Sequence, residues 1–274
     1  MIPPIPTREL GELRDQAISV AIAAGNEIHR IYNGEYTVRE KADRTPVTTA
    51  DLAANQIIVE RLTATAHGFP VLAEESDRCP FATRSVWDHY WLVDPLDGTR
   101  EFIKGNGEFC VSIALVSGHD AVVGVIHSPI TGTTWHAVNG GGAWKRPGEG
   151  PDSAVTTRAT PATHPVVAGS RSHATGKLGV FLQVLGPHDL IPMGSAIKSC
   201  LVAEGTADIY PRFGPTSEWD TAAAQCIVEE AGGRMTDLQF QRLRYNTKES
   251  LTNPSFVVFG DPDFNWRQRI DAVT

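Results

Sequence analysis

Between Thr7 and Tyr32, apolar side chains recur at Leu10, Leu13, Ala17, Val20, Ala21, Ala24 and Ile28, the three-and-four spacing of an amphipathic helix. Thr7 stands where a cap belongs, and Asn33-Gly34 ends the pattern. Residues 36–41 read as a short strand. A second helix is expected from Thr48, whose hydroxyl can cap Asp51 in a capping box, with Leu52, Ile57, Ile58 and Leu62 on one face. Residues 69–73 form an apolar strand that stops at Glu74-Glu75, and residues 79–86 read as a surface loop. The run Tyr90-Trp91-Leu92-Val93 then ends at Asp94, because Pro95 offers no N–H to continue a ladder.

Strands are expected at 109–116, 121–130 and 133–138, followed by a bend at Gly140-Gly141-Gly142. That triple glycine lacks the Lys-Ser/Thr ending of a phosphate cradle. Residues 146–165, rich in Pro, Gly and Thr, read as a linker. Beyond it the pattern alternates: strand 166–169, helix 175–185, strand 189–193, a helix stopped by Gly205, strand 207–213, and a helix over 217–231. Closing strands fall around Met235 and 256–259. The expectation is an α/β fold in two tightly packed halves, 1–145 carrying most of the acidic residues and 165–274 alternating, with ligands at strand ends.

The 274 residues carry a net charge of −8 with no basic stripe, which excludes a nucleic-acid polymer as partner. A small polyanion remains admissible if metal ions supply positive charge locally. The four cysteines are widely spaced with no CxxC pair, as in a reducing cytosol. No secretory signal or membrane-length apolar run is visible, so a soluble cytoplasmic protein is expected. Monomer and homodimer both stay open, as does peripheral contact with an inner membrane.

The chemistry gathers around Asp94-Pro-Leu-Asp97-Gly-Thr99. With Gly98 allowing a tight turn, Asp94, Asp97 and the bared Leu96 carbonyl make a hard-oxygen site suited to Mg²⁺. A lone Asp-Gly would read as a plain turn, but further acids stand at other element ends: Asp51, Glu74, Glu75 and Asp220. Six carboxylates cannot share one cleft ionised without cations. Two or three Mg²⁺ ions would relieve the repulsion, polarise a phosphoryl oxygen, acidify a water and stabilise the leaving alkoxide. The expected reaction is in-line hydrolysis of a phosphate monoester without a covalent intermediate.

Asp94-Pro-Leu-Asp97-Gly-Thr99, with Glu74-Glu75 upstream and Trp219-Asp220 downstream, resembles the inositol monophosphatase superfamily of Li⁺-sensitive, Mg²⁺-dependent phosphatases. The resemblance implies a layered αβαβα sandwich. It implies Glu74, Asp94, the Leu96 carbonyl, Asp97 and Asp220 as metal ligands, Asp51 with Thr99 as the pair that activates water, and Glu75 as an aid in positioning it. It also places Gly98, Thr99 and Asp220 against the substrate.

The longer stretch through Arg100-Glu-Phe-Ile-Lys-Gly-Asn-Gly-Glu-Phe, with Ser170-Arg-Ser-His173, Met193-Gly-Ser-Ala-Ile-Lys198 and Tyr210-Pro-Arg-Phe-Gly-Pro-Thr216, looks like the CysQ-type 3'(2'),5'-bisphosphate nucleotidases. That branch implies removal of the 3'-phosphate of 3'-phosphoadenosine 5'-phosphate to give AMP, with 3'-phosphoadenosine 5'-phosphosulfate as a possible second substrate. Lys198 and Arg212 are cations suited to a second phosphate, Ser195 with the N–H groups of its helix start to an anion, and His173 to the nucleoside. The alternatives are an inositol monophosphatase or sugar bisphosphatase on the same scaffold and, more remotely, a non-catalytic nucleotide or metal sensor.

Overall fold

The computed structural model describes residues 5–161, 163–169 and 176–273. In chain order the first part contains α1 (Thr7–Tyr32), β1 (Val38–Glu40), β2 (Pro46–Thr48), α2 (Thr49–Thr63), β3 (Val71–Ala73) and α3 (Phe81–Arg84). It continues with β4 (His89–Asp97), α4 (Thr99–Lys104), β5 (Cys110–Ser117), β6 (Asp120–His127), β7 (Thr134–Val138), β8 (Ala143–Arg146) and β9 (Ser153–Val155). The remainder is β10 (Val166–Gly169), α5 (Lys177–Leu185), β11 (Asp189–Pro192), α6 (Ile197–Ala203) and β12 (Ile209–Arg212). A 3₁₀ turn (Glu218–Asp220), α7 (Ala222–Glu230), β13 (Arg234–Asp237), β14 (Phe256–Phe259) and α8 (Trp266–Asp271) complete it.

Strands β3 to β9 lie in sequence order in a seven-stranded sheet, and a five-stranded mixed sheet has the order β11-β10-β12-β14-β13. Helices α1 and α2 cover one face of the larger sheet through Leu13, Ile28, Ile58 and Val93. Helices α6 and α7 fill the space between the sheets with Cys200, Val202, Ile227 and Val228. Helices α5 and α8 cover the outer face of the smaller sheet with Phe181, Trp266 and Ile270. The result is the layered αβαβα sandwich, each apolar face buried against its neighbour. Gly124 on β6 lets α7 come close, since a Cβ there would collide with the Ala223 carbonyl.

Several local expectations change. Thr7 is the first residue of α1 and caps nothing; Pro6 precedes it with an extended backbone. Leu52 is 45% exposed, because α2 turns Asp51 inward and buries Ala50, Ala54, Ile58 and Leu62, leaving the next position facing out. The supposed loop 79–86 holds α3, whose Arg84 is buried. β4 does not stop at Asp94 but runs to Asp97 through a bulge. Pro95 is tolerated because β3, pairing only as far as Val93, leaves that edge free. The linker contains β9, which extends the larger sheet. The helix expected over 217–231 is a 3₁₀ turn followed by α7, and α8 has no counterpart in the sequence reading.

Candidate active site

The cleft opens where β3 and β4 end, and the bulge in β4 sets its chemistry. Asp94 is almost wholly buried, and its Oδ1 accepts the Leu96 N–H at 3.0 Å, which fixes the turn. Gly98 follows at φ 100°, and a Cβ there would press on the Glu108 carbonyl at 3.1 Å. Glu74 arrives from the end of β3, its own N–H held by the Val93 carbonyl at 3.1 Å. Asp220 arrives from the 3₁₀ turn, where its Oδ2 accepts the Ser217 N–H at 2.8 Å. Carboxylate oxygens of Glu74, Asp94 and Asp220 lie within 4.8 Å of one another.

Burial first, then the charges of Glu74 and Asp97, drive the Asp94 carboxyl far above its ordinary range. Burial and Asp97 raise Asp220 in the same way. Asp97 is raised by burial, with Lys198 and the Ala196 N–H opposing. Such a group keeps its charge only with a cation among its oxygens. The donor set is all oxygen and fits a hard divalent ion: Glu74, Asp94 and Asp220 as a cluster, with Asp97 and the Leu96 carbonyl at its side.

Asp51 and Thr99 also meet. The Thr99 hydroxyl donates to Asp51 Oδ1 at 2.8 Å, while Asp51 Oδ2 accepts the Thr48 N–H at 2.8 Å and the Thr48 hydroxyl at 2.5 Å. Burial raises the Asp51 carboxyl, and these donors oppose it. With its proton committed to Asp51, the Thr99 oxygen is left as an acceptor toward the cleft.

The cleft has a volume of about 610 Å³. Glu74, Asp94, Leu96, Asp97, Gly98, Thr99 and Asp220 border it together with Lys198 and Arg212. A cavity of about 660 Å³ beside α8 gathers no comparable acids: its Glu229 is tied to Arg242. Ser170 and His173 lie outside the described residues. Ser195 holds a left-handed turn, φ 51°, at the start of α6. The N–H that this turn presents, at Ala196, is already donated at 2.5 Å to Asp97 Oδ2, so the anion at this helix start is the protein's own carboxylate.

Lys198 is buried, donates to the Ser195 carbonyl at 2.6 Å and lies over the Tyr210 ring at 5.1 Å. Burial lowers its ammonium to about 8, with Asp97 opposing. Arg212 donates to the Pro215 carbonyl at 3.3 Å and keeps a buried Nε without a partner. Glu75 stands just behind Glu74, outside the cleft lining.

Two features escaped the sequence reading. Lys41, in the hairpin between β1 and β2, donates to Glu74 at 2.7 Å and to Glu75 at 2.5 Å, so the acidic end already carries one internal cation. Burial alone would lower the Lys41 ammonium, but the two carboxylates outweigh it and raise it. Behind Asp220, the 3₁₀ turn is strutted from the chain before β14. Buried Glu218 accepts the Asn246 N–H at 2.8 Å, Asn246 bonds Arg84, and Asn253 donates to the Ser217 carbonyl at 2.6 Å. Lysine and arginine type alone carries no signal of either contact.

The model of the inositol monophosphatase family matches residues 9–259. The chain belongs to that family. The 3'(2'),5'-bisphosphate nucleotidase CysQ of Shigella flexneri is 45% identical over 246 residues, 89% of this chain and 98% of that protein. CysQ of Aggregatibacter actinomycetemcomitans is 41% identical, covering 93% and 95%. The crystal structure of CysQ from Bacteroides thetaiotaomicron superposes with a TM-score of 0.80 at 41% identity, covering 92% and 98%. An inositol monophosphatase from Zymomonas mobilis superposes with a TM-score of 0.74 at 27% identity, covering 96% and 98%.

Proposed function

We propose that this chain is a Mg²⁺-dependent 3'(2'),5'-bisphosphate nucleotidase that hydrolyses 3'-phosphoadenosine 5'-phosphate to AMP and phosphate in sulfur assimilation, with two or three ions per site. The observation that carries the reading is one cleft that holds Glu74, Asp94 and Asp220 with their oxygens within 4.8 Å of one another and is lined as well by the cations Lys198 and Arg212. Two anionic groups on one small molecule match that layout, and identity of 45% to a bisphosphate nucleotidase supports it. The free cysteines, three of them buried, agree with a reducing cytoplasm. Among the described residues no helix is long and apolar enough to cross a membrane.

In this reading Glu74, Asp94, Asp97, Asp220 and the Leu96 carbonyl hold the metal. The bound ions polarise the phosphoryl group, acidify water and stabilise the leaving oxygen. The protein's part is to aim the water. Thr99 accepts one of its protons while donating its own to Asp51, whose second oxygen is pinned by Thr48. Glu75, raised by burial and checked by Lys41, stands behind Glu74 and is the candidate to help position a metal-bound water from there. Gly98 lines the cleft in a turn that needs its positive φ. Lys198 and Arg212 line it beside the rest of the substrate, Ser195 borders a smaller adjoining space, and Ser170 and His173 are candidates for the nucleoside. Segment 1–145 thus supplies most metal ligands, and segment 165–274 supplies Asp220 and the substrate side.

The test is a panel of 3'-phosphoadenosine 5'-phosphate, inositol 1-phosphate and a sugar bisphosphate at fixed Mg²⁺, with and without Li⁺. The nucleotide should have the highest kcat/KM and Li⁺ should suppress its turnover. Efficient hydrolysis of inositol 1-phosphate with poor hydrolysis of the nucleotide would overturn the assignment.

A further inference from the structure

The cleft adjoins a smaller cavity of about 150 Å³, and the two share one wall. Glu74, Asp94 and Thr99 border only the larger space, whereas Arg100, Lys198 and Arg212 border both. Asp97 and Asp220 border both as well, so the smaller space adjoins the acids while lying beyond Glu74, Asp94 and Thr99.

The cations differ in what they are already doing. Lys41 sits on Glu74 and Glu75, and Lys104 pairs with Glu101 at 3.5 Å. The Lys198 ammonium donates at 2.6 Å to the Ser195 carbonyl and lies on the Tyr210 ring. Arg212 spends one nitrogen on the Pro215 carbonyl at 3.3 Å and keeps a buried, unpartnered Nε. Arg100 makes no hydrogen bond and no ion pair with any described residue. It follows Thr99 in the first turn of α4, so the helix that directs Thr99 inward to Asp51 fixes where Arg100 starts. Arg100 and Arg212 thus both line this shared space with donors to spare. A phosphate dianion has the oxygens to take a planar fork from each.

We propose that Arg100 is a specificity-determining residue that, together with Arg212, grips the second, non-reacting phosphate of a nucleoside bisphosphate. This rests on the nucleotidase reading above and adds the residue that separates a bisphosphate from a monophosphate. Lys198, in contrast, already has its ammonium engaged by the Ser195 carbonyl and the Tyr210 ring.

The experiment compares 3'-phosphoadenosine 5'-phosphate with adenosine 3'-phosphate, which lacks only the 5'-phosphate, in wild type, R100M and R100K. R100M should lower kcat/KM for the bisphosphate about ten- to a hundredfold, the value of a charged hydrogen bond. The loss should appear in KM rather than kcat and be far smaller for the monophosphate. R100K, which keeps the charge without the fork, should recover part of it. Equal losses on both substrates, or a wild-type preference that R100M retains, would overturn the inference alone. A wild-type enzyme indifferent to the 5'-phosphate would overturn the nucleotidase reading and this inference together.

Discussion

The end of β4 and the start of α6 both look like ion sites from their residues, yet they play opposite parts. At the strand end, a bulge turns Asp94 and Asp97 toward open space, and burial raises both carboxyls. At the helix start, Ser195 adopts a left-handed turn and presents an N–H, but Asp97 itself already occupies it. One region is built to receive a charge from outside, and the other is built to hold the first region in place. A polar group buried at a site is as often the brace of a ligand as a ligand.

Asp97 belongs to both regions, so Asp97→Asn strikes hardest. Turnover should fall roughly a thousandfold or more, the several kcal/mol a metal contributes, while thermal unfolding shows the fold intact. Retained turnover would detach Asp97 from the metal. Thr99→Val breaks the strand end alone: kcat should fall about a hundredfold, in the range of a lost general base, with Mn²⁺ affinity unchanged by titration. A parallel drop in Mn²⁺ affinity would make Thr99 part of the metal site instead.

Ser195→Val breaks the helix start alone. A β-branched side chain does not tolerate φ 51°, so the turn should open and withdraw the Ala196 N–H from Asp97. Calorimetry should then show metal affinity weakened about ten- to a hundredfold, as for other outer partners of ligands. An unchanged affinity would mean that the brace is dispensable.

His127, whose ring bonds Thr134 and packs against Gly25 of α1, touches neither region and provides the control. Burial holds its imidazole near about 4, below the ordinary 6.5. On acidification the unfolded chain gains a proton near 6.5 and the folded chain does not until about 4, so this contribution is present above 6.5 and lost between those values. His127→Gln should remove about 2 kcal/mol of the stability lost between roughly pH 7 and 5, read by urea denaturation, and leave kcat alone. An identical pH slope in the variant would contradict this.

Much of the site was legible because acids at element ends are improbable as core residues. Asp94, Asp97, Glu74 and Asp220 each follow an apolar run or open a helix, and the fold brings them together. Sequence reading failed where the answer depended on partners far along the chain. Lys41 meets Glu74 across 33 positions and Arg84 meets Asn246 across 162, and neither has a periodicity to betray it. It also failed at Pro95, where a rule about hydrogen bonding within a strand met an edge already unpaired. Leu52 was misplaced because a buried carboxylate, Asp51, sets the inward face of α2.

The central claim is that divalent ions gather these carboxylates into one reactive centre. The most direct test is a crystal soaked in Mn²⁺, with anomalous scattering collected at the cluster. Peaks should lie between Glu74, Asp94, Asp97 and Asp220, about 2.1 Å from their oxygens for an ion of this kind. A map without such peaks, with Lys41 still seated on Glu74 and the Asp94 and Asp220 carboxyls left to share protons, would contradict it.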